Sequence, residues 1–408
     1  MNTPLTLTDI RCAVATGDTE KNPIPHYDSG DASLLDTTLD GIRTSVGRGE
    51  SLPAHWYTKE SIAETEMYAI FRKNWQYVAH ISDVAHVGNY VSAAIANVPI
   101  VVVRNEDGLA GFINVCRHRR MEVMSGRGHA KHMRCPYHAW TYDLKGCLKA
   151  APRAERETDF DATSYSLLPI RVEMLGPFVF AHLDDDARSL AQCYPDVMER
   201  LSAAGFDMNA LERHSRIESE SPVNWKIMLE NYLECYHCPT GHPEVSQIVD
   251  TRPTHYRLEA NGFVLSHHTH VRPDALKRKH DFQEYDPVGT ISQGESYFLW
   301  PSLTIGFHPG FPNLQLDTWV ADGANMTRGV SERYFGPQAS AAVISGDTAL
   351  NTLVTDQDDT LTRSVQRGSR SGFPEKTRLM MDSEKLLVSF QTLVVDAIAK
   401  YVHDQKSA

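Results

Sequence analysis

Residues 113–140 read INVCRHRRMEVMSGRGHAKHMRCPYHAW. Cys116 and His118 form a C-x-H pair, and Cys135 and His138 form a C-x-x-H pair with sixteen residues between the two. Each pair can sit on a loop joining two strands, so that two thiols and two imidazoles converge at the loop tips. Gly126, Gly128 and Pro136 suit tight loops whose backbone N–H groups can approach a bound anion.

The flanks support that placement. NYVSAAI, VPIVVVRN and LAGFINVC are short β-rich runs, and NEDG at Asn105–Gly108 is a hairpin signal. HMRCP, WTYDL, SLLPIRVEML and PFVFAHL continue the pattern, so the segment from about Trp75 to Leu183 is expected to be a small antiparallel β domain. In that setting the ligand set suits a Rieske centre, in which two Cys hold one iron and two His the other. Neutral imidazoles in place of two thiolates raise the reduction potential, which suits a cluster that passes electrons onward singly. A Cys₂His₂ zinc site uses the same ligand types, but its ligands usually come in a different order.

A second constellation lies further on, in NWKIMLENYLECYHCPTGHPE, residues 224–244. A helix is expected over Trp225–Cys238, placing Glu234 and His237 on one face. Pro239 and Gly241 then end it and let His242 turn back towards His237. Two imidazoles and one carboxylate make the facial triad of non-haem Fe(II) oxygenases, which leaves coordination positions open. The carboxylate is sought in VTDQDDTLTRSVQRG, a helical segment near the C-terminus, with Asp358 as the choice and Asp359 as the fallback. The plain alternative for this acidic cluster is a solvated first helical turn. Cys235 and Cys238 spell C-x-x-C, but no thioredoxin-like context surrounds them and they are read as packing residues. His267, His268 and His270 resemble a metal tract; strand alternation sets His267 on the other face, and no role is assigned to them.

The rest of the chain supplies the frame. Helices are expected over Leu34–Arg43, Lys59–Trp75, Leu190–Leu211, Gly346–Gly368 and Lys376–Val402. GFVLSHHTH, SYFLWPSLTIGFHP and NLQLDTWVA are strands grouped together rather than alternating with helices, which is an α+β pattern. With 408 residues, two domains are expected. A net charge of −12 argues against a nucleic-acid partner. The N-terminus lacks the basic head and apolar run of a signal peptide, and no apolar stretch is long enough to span a bilayer, so a cytoplasmic protein is expected. Its seven cysteines then suit a reducing compartment.

Together these residues resemble the α subunits of Rieske non-haem iron oxygenases, the ring-hydroxylating oxygenases. The resemblance runs from about Trp56 to the C-terminus and includes the cluster motif, GPFVF at Gly176–Phe180, NWK at Asn224 and the late acidic helix. It implies a division into an arm and helix (1–55), an antiparallel β Rieske domain (56–183) and a catalytic domain with an antiparallel sheet covered by helices (184–408). It implies that Cys116, His118, Cys135 and His138 ligate one [2Fe–2S] cluster and that His237, His242 and Asp358 ligate one mononuclear Fe(II). It also implies a homotrimer in which Glu234 bridges His237 to His138 of the adjacent chain. NAD(P)H and flavin would act only through a separate ferredoxin or flavin reductase, since no dinucleotide fingerprint is present. Glu at 234, the flanking ENYLECYHC and SVQRG are similar to the branch acting on quaternary ammonium compounds such as glycine betaine, carnitine and proline betaine. Arg363 and Asp359 depart from that branch, which usually carries Glu and an aliphatic residue there. The expected reaction is hydroxylation beside nitrogen with loss of formaldehyde, without nucleic acid or membrane. Tyr236, Tyr297, Trp300 and Phe307 are candidates for an aromatic cage around the substrate cation. The alternatives are an aromatic ring-hydroxylating dioxygenase with the same irons, a Rieske electron carrier with no further iron, and a zinc-stabilised binding module.

Overall fold

The computed structural model describes residues 32–277 and 279–407, with side chains from residue 39 onward. The expected N-terminal arm lies, up to residue 31, outside the described residues.

Two compact units emerge, and each has its own sheet. The first spans residues 72–190. Its seven-stranded antiparallel sheet runs in the order Gln76–His80, Phe178–His182, Pro169–Leu175, Gly108–Ile113, Val98–Asn105, Asn89–Ile95, Arg127–His129. Ile100, Val101, Val102 and Val103 are all buried, so this apolar run is covered on both faces. The Asn105 side chain closes the NEDG hairpin by accepting from the backbone N–H groups of Asp107 (2.8 Å) and Gly108 (3.0 Å). A three-stranded sheet of Met133–Arg134, Thr141–Tyr142 and Leu148–Ala150 completes the unit. Beneath it Met133, Trp140, Tyr142 and Leu148 pack with Val101, Val103 and Phe112.

The second unit takes residues 32–71 together with the chain after residue 190. Its antiparallel sheet runs Glu212–Ser221, Thr327–Phe335, Asn313–Ala321, Leu303–Phe307, Gln293–Leu299, Val264–Val271, Val249–Asp250, with Arg257–Asn261 also paired to Val264–Val271. The long helices Ala341–Arg370 and Lys385–Ser407 belong to the same unit. The latter is long and apolar enough to cross a bilayer, but Leu386, Phe390, Val394, Val395, Ile398 and Val402 are buried in the protein, which makes it a core helix.

Three sequence expectations are corrected here. Residues 56–71 belong to the second unit, not to the β domain. Glu66 and Lys226 form a fully buried ion pair at 2.6 Å, and the second oxygen of Glu66 accepts from the Trp225 indole at 2.7 Å. Such a pair tolerates its desolvation only when its remaining polar atoms are satisfied, so Glu66 ties the early helix Glu60–Ala69 to the helix Trp225–Tyr232. Leu190–Leu211 is not one helix but Leu190–Cys193, Val197–Ala203 and a 3₁₀ turn at Met208–Ala210. Pro195 interrupts it, and Asp196 takes a left-handed φ of 62°. The final helix begins at Lys385 rather than at Lys376.

Candidate functional site: two metal-gathering centres

The first centre is built from one loop used twice. Cys116 N–H donates to the Met121 carbonyl and Arg120 N–H to the Cys116 carbonyl; Cys135 N–H donates to the Trp140 carbonyl and Ala139 N–H to the Cys135 carbonyl. In each loop the residue four after the cysteine is left-handed, Arg120 at φ 58° and Ala139 at 59°. That conformation costs energy for a residue with a Cβ. Its appearance at equivalent places shows that both loops are bent to bring their side chains to one point. Cys116 and Cys135 are buried and carry free thiols, whereas His118 and His138 are exposed, with ring centroids 4.6 Å apart. Trp140 stacks on His118 at 5.1 Å and fixes its plane. Burial, with Cys116 alongside, raises the Cys135 thiol pKa. The Tyr142 hydroxyl lies 3.5 Å from Cys116 Sγ. Two buried sulfurs and two imidazoles at the surface fit a [2Fe–2S] cluster with its histidine iron turned outward.

The second centre lies in the other unit. The helix that starts at Asn224, whose side chain caps Lys226 N–H, ends at Tyr232 and not at Cys238. Pro239 would clash with the carbonyl of residue 235 in a continued helix. Glu234 and His237 therefore do not share a helical face as expected. Instead Glu234 caps the following turn: one oxygen accepts from the backbone N–H groups of Tyr236 and His237, and the other from His237 Nδ1. His242 is buried, and its Nδ1 faces Gln357 Oε1 at 2.7 Å. Gln357 Nε2 donates to Glu244 at 3.1 Å, which fixes the amide with its oxygen towards His242. Both imidazoles thus carry their proton on Nδ1 and present a bare Nε2.

Those two Nε2 atoms lie 3.1 Å apart, and Asp358 Oδ1 lies 3.0 Å from that of His242 and 3.6 Å from that of His237. Asp358 Oδ1 is itself buried and has no hydrogen-bond partner. Three bare acceptors brought together repel one another unless a cation joins them. Metal–ligand bonds of about 2.1 Å at right angles put neighbouring donors about 3 Å apart, so the set fits a metal bound on one face. Burial opposes protonation of His242, yet Asp358 and Gln357 hold its pKa above the ordinary value, a sign of a field that favours positive charge. Asp359, the fallback, points elsewhere and pairs with Arg363 at 2.6 Å. The two departures from the family pattern thus satisfy one another. Gln357 and Glu244 were missed by sequence reasoning.

The four expected cage residues have other surroundings. Tyr236 is 58% exposed. Tyr297 is buried, bonded to Glu295, and its ring already carries the Arg200 guanidinium at 4.9 Å. Trp300 packs among Trp225, Phe263, Phe298 and Phe390, and Phe307 against Phe206. The aromatic side chains near the His237 centre are different ones. Tyr232 meets His267 and Trp319 edge-on, each at 5.5 Å, and Tyr256 lies against His267 at 5.4 Å. Glu234 bears electrostatically on Tyr256, and His237 on His267. Cys235 and Cys238, expected to be packing thiols, are joined as a disulfide, their Cα atoms 4.9 Å apart across the turn.

Comparison with known proteins finds a family match in each unit. Residues 74–169 match the Rieske [2Fe-2S] domain model, and residues 208–400 match the ring hydroxylating alpha subunit (catalytic domain) model. The chain is 30% identical over 346 residues to the carnitine monooxygenase oxygenase subunit of Acinetobacter pittii (strain PHEA-2), a match covering 83% of this chain and 91% of the relative. The chain belongs to the Rieske non-haem iron oxygenases. A second relative, the glycine betaine monooxygenase oxygenase subunit of Chromohalobacter salexigens, is 34% identical over 52% of this chain and 48% of its own length. The structure of the quaternary ammonium Rieske monooxygenase CntA in complex with L-carnitine superposes with a TM-score of 0.75 at 27% identity, covering 92% of this chain and 99% of that one. As a Rieske oxygenase, the chain is an oxidoreductase subunit with a Rieske domain and a catalytic non-haem iron domain.

Proposed function

We propose that this chain is the terminal oxygenase component of a multicomponent monooxygenase that hydroxylates, and thereby N-demethylates, a quaternary ammonium compound of betaine type. The observation that carries this reading is the His237, His242 and Asp358 donor set together with the rings of Tyr232 and Tyr256 gathered on His267, a ring that His237 reaches electrostatically. A quaternary ammonium neither donates nor accepts a hydrogen bond, so aromatic faces are its natural receptors. The named relatives and the CntA complexes support the same class.

His237, His242 and Asp358 would hold the mononuclear iron, and Cys116, His118, Cys135 and His138 the cluster. When bound, the cluster supplies electrons one at a time and the ferrous ion activates O₂. The protein's own part is positional. Glu234 and Gln357 keep the Nδ1 protons in place and the two Nε2 lone pairs aimed at one point. The exposed edges of His118 and His138 give electrons a short way in and out of the β domain. In a homotrimer, Glu234 would hydrogen-bond towards His138 of the partner subunit and join the two centres. Electrons would come from NAD(P)H through a separate flavin or ferredoxin reductase in the cytoplasm. The aromatic rings would hold the cation with an N-methyl carbon turned towards the site; once that carbon is hydroxylated, its O–H proton is lost, the C–N pair stays on nitrogen and the carbon leaves as formaldehyde.

The test is turnover of the holoenzyme with a reductase and NADH, following O₂ uptake and formaldehyde together. A betaine should drive both in equal amounts. A dihydrodiol formed from an arene, with no betaine-dependent formaldehyde, would overturn the assignment.

A further inference from the structure

His267 has no part in metal binding, yet its surroundings are specific. It lies in the strand Val264–Val271 with its ring turned away from His268, which meets Arg200 at 3.0 Å on the other face. One nitrogen of the His267 ring donates to the backbone of Tyr232. The other, Nε2, is buried and has no partner. A neutral imidazole has one donor and one acceptor, so Nδ1 carries the proton and Nε2 is an acceptor only. Burial first, then His268 and His237, holds the ring's pKa down at about 3, which keeps it neutral. Tyr256, packed on the His267 ring, also has its hydroxyl buried without a partner. Buried polar atoms are nearly always paired, so each of these two takes its partner from outside the chain, an ordered water or a ligand group that displaces it.

We propose that His267 Nε2, helped by the Tyr256 hydroxyl, accepts a hydrogen bond from a hydroxyl on the substrate, so that the enzyme selects a hydroxylated quaternary ammonium compound over its deoxy analogue. This rests on the quaternary ammonium reading of the site and goes further by naming the second group the substrate must carry. A carboxylate has no proton to offer and is unwelcome at a bare acceptor, so its place lies elsewhere in the pocket. A hydroxyl donor satisfies Nε2 directly.

L-carnitine and gamma-butyrobetaine differ by one hydroxyl and form the test pair. Their affinities for the anaerobic holoenzyme are measured by calorimetry, with iron content and cluster absorbance reporting the state of each variant. Wild type is expected to bind the hydroxylated compound about tenfold more tightly. His267→Phe keeps an aromatic ring but removes the acceptor, and should bring the ratio within about twofold of unity. Tyr256→Phe, which removes one oxygen, should shrink the ratio by a smaller factor and guards against a misfolded His267 variant. Equal ratios in wild type and both variants would overturn the proposal. So would wild type binding both compounds without preference, which leaves the quaternary ammonium reading standing. Failure of wild type to bind these two compounds or glycine betaine overturns both.

Discussion

The two metal-gathering centres reach similar ends by opposite routes. The cluster centre is local: its four proposed ligands fall within residues 116–138, on two copies of one loop with matching hydrogen bonds and matching left-handed residues. The iron centre joins a turn after the helix Trp225–Tyr232 to the middle of the helix Ala341–Arg370, more than a hundred residues later. Its ligand geometry depends on how one helix is rotated against the other. A local site is specified by spacing, whereas a long-range site is specified by packing, and the two should respond differently to substitution.

The largest difference should follow Asp358→Ala. Removing one of three ligands from the long-range centre should lower iron from about three atoms per chain to about two and cut turnover by at least about a hundredfold. The cluster absorbance should stay the same, because no cluster residue is disturbed. Loss of the cluster signal together with the third iron would show that the two centres fold as one, and the contrast drawn here would fail. Asp359→Ala, one residue away, should leave iron content unchanged because its partner is Arg363.

The helix Trp225–Tyr232, which leads into the histidine turn, contains a largely buried acid, Glu230, and this gives the second unit a pH response. Burial pushes the Glu230 carboxyl up to about 7, against hydrogen bonds from Tyr57 and Gln391, both at 2.8 Å, and the charge of Lys226. Because the folded pKa lies above the ordinary 4.5, the folded state holds the proton more tightly. Its contribution to stability is full below pH 4.5 and is lost as pH rises through about 7. Glu230→Gln keeps an oxygen for both donors. Above pH 7 it should be more stable than wild type by up to about 3 kcal/mol, and below pH 4.5 no more stable. Denaturant melts of the holoenzyme across that range measure it; parallel curves for the two proteins would mean that Glu230 does not titrate in the fold.

What could be read from the sequence follows the same division. The two loops that gather Cys116, His118, Cys135 and His138, the hairpin at Asn105–Gly108 and the grouping of strands were legible, because each depends on neighbours along the chain. His237 and His242 were legible for the same reason. Asp358 and Asp359 were not separable by spacing, since adjacent helical positions differ only in direction, and direction is set by the helix beneath. The surroundings of the four cage candidates were not legible, because an aromatic residue in a strand looks the same whether it faces a core or a pocket. Tyr297 and Trp300 face the core or a charge, while Tyr232 and Tyr256 meet the ring of His267, which His237 reaches electrostatically. The early helix Glu60–Ala69 has one apolar face, but nothing in its own sequence says which core that face joins; the buried Glu66–Lys226 pair decides it.

Gln357 tests the packing-dependent centre more gently. Its amide sets the tautomer of His242 without touching the metal position, so Gln357→Leu should weaken iron binding by about 10- to 100-fold. Gln357→Glu, which still offers an oxygen to Nδ1, should recover most of it. Chelator competition measures both. If the leucine variant held iron as tightly as wild type, the orientation of His242 would have to come from its own turn, and the iron centre would be more local than the contrast allows.

The smallest effect is expected in the local centre. The Tyr142 hydroxyl approaches Cys116 Sγ at 3.5 Å and accepts from the Arg117 backbone N–H at 3.1 Å, so its own proton is free to point at the sulfur. A hydrogen bond to a cluster sulfur favours the reduced state, which carries more negative charge. Tyr142→Phe removes that proton and keeps the ring in the core with Met133 and Leu148. If the bond is worth about 1 kcal/mol, its loss should lower the cluster potential by about 40 mV for a one-electron couple. The iron content should not change. Electrochemistry on the purified holoprotein reads the shift directly. An unchanged potential would mean that the hydroxyl proton points away from Cys116, and that the loop, through its backbone N–H groups and the burial of its two sulfurs, sets the potential unaided.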